Sequence, residues 1–347
     1  MNLISSTILY IGFFISPFFK PPVNTIGDGE QPQISADTKG NISLVFGQED
    51  KIYWSTSGDN GGTFSKPALI GQVPQMHLGM ARGPQIACSA NYSIITAMDR
   101  SGNIHCYRRS NSSRVWKDIG TINDVPGSSP EGLMSIAADN KDNFYAVWLD
   151  TRTGNKNQVY FAALSGKAPR WSRNTLAYQS PDGHVCECCK PSIAVQGSTI
   201  AIMFRNWLQG SRDLYLLTSK DKGHSFETQK LGEDTWKLNG CPMDGGGVVV
   251  DPSGRIHTVW QRKGFVYYCK PGEREINMGK GRTCSIAGVT AKPVISMETG
   301  DTLKLVRPYP KNEITIGTGS FLQSIVLPDS KILCVWEQDK QIKFKRV

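Results

Sequence analysis

Short apolar stretches with alternating or β-branched residues recur along the chain, and each is closed by a turn rich in Gly, Asn or Asp. No stretch shows sustained helical periodicity, so this pattern predicts an all-β protein. One unit returns several times: an apolar strand, a turn of the type Asp-x-x-Gly-Asn, and a second strand that ends in an aromatic residue. Clear copies of this hairpin occupy residues 34–46, 136–148, 249–260 and 325–336.

The repeats have the size of propeller blades. They begin near residues 32, 84, 132, 191, 246, 284 and 322, with a spacing of roughly 40 to 60 residues and about four strands in each repeat. We therefore predict a single β-propeller of four-stranded blades, with seven blades preferred and six as the alternative. The last repeat has only three strands. We expect residues 23–27 to supply its fourth strand and close the ring, because closure removes an exposed sheet edge.

The N-terminal residues 1–20 are predicted to be a secretory signal segment, and residues 21–347 the propeller domain. The apolar run 8–19 is short for a membrane span and is typical of a signal sequence. We therefore expect export to the periplasm, the cell surface or the medium, with no integral membrane span after the signal. The oligomeric state is not indicated.

The charge balance favours acidic partners. The formal charge is +9, from 39 Lys and Arg against 30 Asp and Glu, and a basic surface attracts acidic glycans or nucleic acids. The sequence contains no basic helix and no aromatic RNA-binding motif, so we predict no nucleic-acid partner.

Two turn motifs carry a family resemblance. Residues 57–64 read Ser-Gly-Asp-Asn-Gly-Gly-Thr-Phe, residues 219–226 read Ser-Lys-Asp-Lys-Gly-His-Ser-Phe, and 165–171 is a degraded copy. In such a turn the Asp accepts backbone N–H bonds, the Gly takes a positive φ, and the aromatic ring packs into the blade. With these motifs the chain resembles the sialidase-like (BNR/Asp-box) β-propellers over nearly its whole length. In that family the boxes are structural and lie away from the active face, so they indicate fold rather than function.

The resemblance implies an acidic glycan as the ligand, either bound or hydrolysed by an exo-sialidase-like glycoside hydrolase. In that family three arginines clamp the sugar carboxylate, and a Tyr/Glu pair and an Asp perform the chemistry. The Phe/Tyr-Arg-Ile-Pro motif that usually marks the first arginine is absent. The candidates for substrate binding are Arg82, Arg152, Arg205, Arg212, Arg262 and Trp207. The candidates for catalysis are Asp150, Glu131, Glu337 and Tyr309.

Two cysteine stretches, 184–191 and 241–245, precede the first strands of adjacent repeats and so open on the same face. Soft sulfur ligands suit copper or zinc, and the candidate metal ligands are Cys186, Cys188, Cys189, Cys241, His184 and Met243. Strand alternation would point Cys186 and Cys188 one way and Cys189 the other.

The alternative for these cysteines is a disulfide, in which Cys186 or Cys188 joins Cys241 and staples two blade entrances. A free or redox-active thiol is a third interpretation, since nine cysteines is an odd number. A second expected pair is Cys88 with Cys106, which flank one hairpin.

A third class of function needs no catalysis. A propeller face can bind a glycan or a protein, with Trp148, Trp207 and Trp236 as stacking surfaces. Glycan chemistry, metal binding and simple recognition therefore stay open at the level of sequence.

Overall fold

The protein is a ring of seven four-stranded antiparallel blades. The computed structural model describes residues 22–154, 156–288 and 292–347, and within these ranges every regular element is a β-strand. The expected signal segment, residues 1–20, lies outside the described residues. The part of the chain that the structure describes contains no helix long and apolar enough to cross a membrane. The prediction of seven blades is confirmed.

The strands follow the chain without exchange between blades, except at the N-terminus. The first strand of the described residues is β1 (Asn24–Asp28). Blade 1 consists of β2 (Glu30–Ala36), β3 (Ile42–Gln48), β4 (Lys51–Ser57) and β5 (Ala68–Gln72). Blade 2 consists of β6 (Gln85–Cys88), β7 (Tyr92–Met98), β8 (Ile104–Ser110) and β9 (Lys117–Thr121). Blade 3 consists of β10 (Met134–Ala138), β11 (Asn143–Asp150), β12 (Gln158–Ser165) and β13 (Thr175–Tyr178).

The remaining blades repeat this order. Blade 4 consists of β14 (Ser192–Gln196), β15 (Thr199–Arg205), β16 (Leu214–Ser219) and β17 (Glu227–Lys230). Blade 5 consists of β18 (Gly247–Val250), β19 (Ile256–Arg262), β20 (Phe265–Cys269) and β21 (Ile276–Lys280). Blade 6 consists of β22 (Arg282–Ala287), β23 (Val294–Thr299), β24 (Thr302–Pro308) and β25 (Lys311–Thr318). Blade 7 consists of β26 (Ser320–Val326), β27 (Ile332–Gln338) and β28 (Gln341–Arg346), completed by β1.

The N-terminal strand closes the ring, as the sequence predicted. Strand β1 pairs antiparallel with β28, with Asn24 opposite Phe344 and Asp28 opposite Gln341. The outer edge of the last blade is thereby covered by a strand from the other end of the chain, so the two ends hold one blade together.

The hydrophobic core lies between neighbouring blades, because alternate residues of each strand face the adjacent sheet. One cluster joins Leu44 and Phe46 of blade 1 to Leu333 and Val335 of blade 7. The aromatic residues that end the repeated hairpins are buried within such clusters. Trp148 is 0% exposed and its Nε1 donates to Asp150 Oδ2, so the expectation that Trp148 offers a stacking surface is wrong.

The two Ser-x-Asp-x-Gly-x-Thr/Ser-Phe segments form matching turns between third and fourth strands. Asp59 accepts hydrogen bonds from the backbone N–H and the hydroxyl of Thr63, and Asp221 makes the same pair with Ser225. The hydrogen bond from the Thr63 backbone, with those from the Ser57 and Thr63 side chains, lowers the pKa of Asp59 to about 2. The aromatic ring at the end of the first turn, Phe64, packs edge-on against Phe344 of the preceding blade.

At three consecutive blade junctions around the channel, a carboxylate of one blade accepts a hydrogen bond from the next blade. Its oxygen accepts the backbone N–H of a positive-φ residue at the start of the next blade. The pairs are Asp244 with Thr283 (2.7 Å), Glu298 with Phe321 (2.6 Å) and Glu337 with Gln31 (3.1 Å). These contacts satisfy N–H groups at bulges where the strand ladder is interrupted.

The expected Cys88–Cys106 disulfide does not form. Cys88 lies opposite Ser93 in the blade ladder, whereas Cys106 lies opposite Thr96. The two side chains belong to different clusters, Cys88 toward blade 1 and Cys106 toward blade 3, and both thiols are free. The prediction is wrong because the blade separates the two sulfur atoms.

Candidate functional site at the mouth of the central channel

The inner strands of all seven blades enclose a central cavity of about 500 Å³. Its wall is rich in hydroxyl and amide groups, because the inner strands carry polar residues at alternate positions. At one end, loops that enter the blades form the mouth. The residues that line this mouth are Gln31, Met80, Gln85, Cys188, Lys190, Met243 and Asp244.

The two cysteine loops meet at this mouth, as their equivalent positions in the repeat predicted. A disulfide joins Cys188 of the first loop to Cys241 of the second, which confirms the expected staple between two blade entrances. The loops approach so closely that a Cβ on Gly245 would lie 1.8 Å from the carbonyl oxygen of Lys190. Only glycine fits at this position.

Three sulfur atoms of the first loop lie together. Cys186 Sγ is 3.6 Å from Cys188 Sγ and 3.5 Å from Cys189 Sγ, and Cys188 Sγ is 3.9 Å from Cys189 Sγ. The expectation that Cys189 points away from the other two is wrong, because the loop from Cys186 to Lys190 forms a turn instead of an extended strand. The disulfide adds the sulfur of Cys241 to the cluster.

Two buried arginines organise the cluster. Arg212 Nη1 donates to Cys186 Sγ at 2.9 Å. Arg205, only 1% exposed, donates to the carbonyl oxygens of Asp244, Arg212 and Gln261 and so ties the second cysteine loop to blade 4. The thiol of Cys189, followed by the charges of Arg212 and Arg205, lowers the pKa of Cys186 to about 6, whereas burial raises the pKa of Cys189 well above its ordinary value.

A polar rim borders the cluster on blade 4. The His184 ring stacks on Trp207, with centroids 5.7 Å apart, and the Arg212 guanidinium lies 4.6 Å from the same indole. Glu187 Oε2 lies 3.5 Å from Arg212 Nη1. Arg212 therefore links the candidate aromatic surface at Trp207 to the thiol of Cys186.

The predicted metal ligands are brought together only in part. Among the described residues, the group compact enough to hold an ion is Cys186, Cys188 and Cys189, without His184. Cys188 and Cys241 share a disulfide, and a thiolate is the form that binds a metal. In the oxidised protein the available thiols are therefore Cys186 and Cys189. Met243 lines the channel mouth and is 40% exposed.

The mouth also contains a cation that sequence analysis did not single out. Lys190 Nζ donates to Gln85 Oε1 at 2.8 Å across the channel, and burial lowers the pKa of Lys190 to about 8. Among the described residues, no carboxylate forms an ion pair with Lys190. Nearby, Gln31 is 3% exposed and its Nε2 has no hydrogen-bond partner. The polar alternation of the inner strands was a signal for Gln31 and Gln85, whereas Lys190 lies in the loop before β14.

The candidate arginines mostly serve internal contacts. Arg152 donates to Asp150 and Asn174 and pairs with Asp124. Arg262 pairs with Glu275 and Asp234. Arg82 donates to the carbonyl oxygen of Glu131, and the Glu131 carboxylate lies 3.8 Å from Arg82 Nη2.

The candidate acid and base residues lie in separate contact networks. Asp150 is 0% exposed, and its carboxylate accepts hydrogen bonds from Ser128, Trp148 and Arg152. Glu337 accepts the Gln31 N–H at the junction of blades 7 and 1. Tyr309 lies in the turn between β24 and β25, where it contacts Tyr268. That turn joins third and fourth strands, so it opens on the face opposite the blade entrances.

Comparisons with known proteins define the class as a β-propeller. No family model matches the chain, and no protein of curated function matches it. The BP39L lectin from Burkholderia pseudomallei is similar with a TM-score of 0.65 and 12% identity, over 92% of this chain and 99% of the lectin. A polysaccharide lyase of family PL25, an ulvan lyase bound to -[GlcA(1-4)Rha3S]-, is similar with a TM-score of 0.59 and 11% identity, over 93% of this chain and 95% of the lyase.

A mutant of the NanB sialidase from Streptococcus pneumoniae is also similar, with a TM-score of 0.47 and 11% identity, over 94% of this chain and 70% of the sialidase. That TM-score is too low for a structural argument. At the identities of the lectin and the lyase, the likeness establishes the propeller fold and no residue roles. The sialidase-like assignment accordingly remains a resemblance of motifs.

Proposed function

We propose that this protein binds an acidic glycan at the mouth of its central channel, with Lys190 as the cation that anchors a sugar carboxylate or sulfate. The observation that carries the proposal is the Lys190 ammonium itself, enclosed at the cavity mouth with Gln85 as its hydrogen-bond partner. Burial of a charge without a counter-ion is costly. An anionic ligand would supply the missing partner.

Neighbouring donors complete an anion site. The unpartnered Nε2 of Gln31 and the unpartnered hydroxyl of Ser192 belong to residues that line the same cavity as Lys190. A lysine ammonium and neutral N–H or O–H donors together suit an oxyanion. The acidic Asp244 at the same mouth already accepts backbone bonds from Thr283 and Gly246.

The size of the cavity suits a sugar. A volume of about 500 Å³ falls within the range of pockets that enclose small ligands. The lectin and the lyase named above have the same fold, and the saccharide bound to the lyase, -[GlcA(1-4)Rha3S]-, contains a uronic acid and a sulfated sugar. This likeness supports a saccharide as the ligand class for a propeller of this shape.

Binding is favoured over hydrolysis. A glycosidase needs two acid/base groups that flank the scissile bond, whereas Asp150 is fully buried and Tyr309 lies in a turn on the other face. We also propose that the protein is exported. The Cys188–Cys241 disulfide supports this localisation, because disulfides persist in oxidising compartments. The apolar run of residues 8–19 also supports export.

The test is binding of uronate-containing and sulfated oligosaccharides, measured by calorimetry against their neutral, carboxyl-reduced or desulfated counterparts. We expect Lys190→Met to weaken binding of the acidic ligand by about 10- to 100-fold, the loss of one charge-assisted contact. The matched control is Lys117→Met, which removes the same charge from the exposed strand β9 and should leave affinity unchanged.

Three results would contradict the proposal. The first is that none of the acidic ligands binds. The second is equal affinity for acidic and neutral ligands. The third is an affinity that Lys190→Met leaves unchanged. Circular dichroism and the unfolding temperature of both variants confirm that the comparison is between folded proteins.

A further inference from the structure

The sulfur cluster places a thiol pair in contact with a disulfide. Cys186 and Cys189 have the spacing Cys-x-x-Cys, and both thiols are free and buried, with their sulfur atoms 3.5 Å apart. The Cys188 half of the Cys188–Cys241 disulfide lies 3.6 Å from Cys186 Sγ. A potential nucleophile and a potential electrophile are therefore at non-bonded contact distance.

The two free thiols are not equivalent. Arg212 donates to Cys186 Sγ at 2.9 Å, and a cation in this position stabilises a thiolate. Cys189 Sγ lies 3.5 Å from Cys186 Sγ, and burial raises the pKa of Cys189 well above its ordinary value. Cys186, which contacts Arg212, is therefore the better nucleophile, and Cys189 is close enough to resolve a disulfide that Cys186 forms.

The two sides of the disulfide also differ in access. Cys241 is exposed, whereas Cys188 is half-buried beside Cys186 and Cys189. A thiol released at Cys241 would therefore face solvent. Reagents from outside would reach this sulfur before the buried pair, of which Cys186 is 1% exposed.

We propose that Cys186, Cys188, Cys189 and Cys241 form a thiol–disulfide relay that moves an electron pair between a buried dithiol and an exposed cysteine. This activity is independent of glycan binding, although Cys188 and Lys190 border the same mouth. Its external partner is a small-molecule or protein disulfide, which the exposed Cys241 would attack.

The relay proceeds in two exchanges. The Cys186 thiolate attacks Cys188 Sγ, a Cys186–Cys188 bond forms, and Cys241 leaves as a thiolate. Cys189 then gives up its proton to solvent and attacks Cys186 Sγ, which forms a Cys186–Cys189 disulfide and releases Cys188 as a thiolate. The buried pair is oxidised by two electrons, the Cys188–Cys241 pair is reduced by two electrons, and protons balance through solvent.

The experiment follows the disulfide connectivity of the full-length protein by mass spectrometry. Protein held at pH 4 is shifted to pH 8 without oxygen or added thiol, quenched with acid, alkylated and digested with trypsin. A Cys188–Cys241 bond links two tryptic peptides, whereas a Cys186–Cys189 bond lies within one. We expect the cross-linked pair to be lost in part and the single-peptide form to appear.

Variants assign the steps. Cys186→Ser should abolish the exchange, and Cys189→Ser should stop it at the Cys186–Cys188 bond with Cys241 free. With oxidised glutathione present, the wild type should acquire a mixed disulfide on Cys241, and Cys186→Ser should not. The control is Cys88→Ser, a free cysteine of blade 2, which should exchange as the wild type does.

The wild type also provides a test that needs no variant. Arg212, Arg205, Glu187 and Cys189 are the charged or titratable groups around Cys186. The exchange should be slower at pH 5 than at pH 8, because thiol–disulfide exchange proceeds through the thiolate. A Cys188–Cys241 bond that persists unchanged at pH 8 would overturn the relay, as would exchange that continues in Cys186→Ser.

Discussion

At the scale of single residues, the channel mouth depends on one glycine. The loop from Cys241 to Gly246 passes over the loop from Cys186 to Lys190, and the disulfide alone does not set their distance. The backbone of Gly245 approaches the Lys190 carbonyl so closely that a Cβ would overlap with it. The position of Lys190 and of the sulfur cluster thus follows from backbone contact.

We expect Gly245→Ala to destabilise the protein by about 1–3 kcal/mol or more, because a methyl group must displace backbone that is already packed. Chemical unfolding in urea measures this loss. The matched control is Gly58→Ala, where an added Cβ has nothing within 4 Å and the backbone φ is ordinary. Equal stability of the two variants would show that the loops do not pack as described.

At the residue level, the sequence indicated the disulfide between the cysteine loops as one of three alternatives. The staple between the cysteine loops was among the expected outcomes because both loops occupy equivalent positions in the repeat. Which cysteine of the first loop would pair was not predictable, because that choice depends on the turn that the loop adopts. Lys190 was missed for a related reason: its side chain contacts Gln85 and its backbone packs against Gly245, and both residues are distant in sequence.

At the scale of elements, alternation of apolar and polar residues was sufficient to predict the strands and the blade boundaries. The face that each side chain occupies follows from a period of two. The roles of the carboxylates were not predictable in this way. Glu337, a candidate catalytic residue from the sequence, lies at a blade junction and accepts the N–H of Gln31, a contact that depends on a bulge in the neighbouring blade.

The buried junction carboxylate Glu337 makes the stability of the protein depend on pH. Burial raises the pKa of Glu337 above its ordinary value. Its contribution to stability is therefore fully present below the unfolded pKa, about 4.3, and is lost as pH rises through the higher folded pKa. A Gln at position 337 retains an oxygen acceptor for Gln31 and cannot ionise.

We therefore expect Glu337→Gln to gain stability relative to the wild type as pH rises from about 4 to 7. Urea unfolding at several pH values measures the difference. The control Glu227→Gln changes an exposed carboxylate on the outer strand β17 and should show no such trend. A stability difference for Glu337→Gln that does not change with pH would contradict the raised pKa of the buried Glu337 carboxyl.

At the scale of the whole molecule, ring closure converts seven similar blades into one site. Each blade contributes only an inner strand and an entering loop to the channel, and no single blade contains a complete set of donors. The fold could be predicted from the sequence because it rests on repeated local patterns. The site could be predicted only in part, because Lys190, Gln85 and Gln31 come from blades 4, 2 and 1 and meet only after closure.

The central claim is that the protonated Lys190 at this mouth holds an acidic ligand. The most direct measurement is the affinity of the wild type for an acidic oligosaccharide between pH 6 and 10, at constant ionic strength. Because the pKa of Lys190 is lowered to about 8, we predict constant affinity at the acid end and a steady decrease above about pH 8. Affinity that stays constant until ordinary lysines lose their charge, near about pH 10.4, would contradict the account.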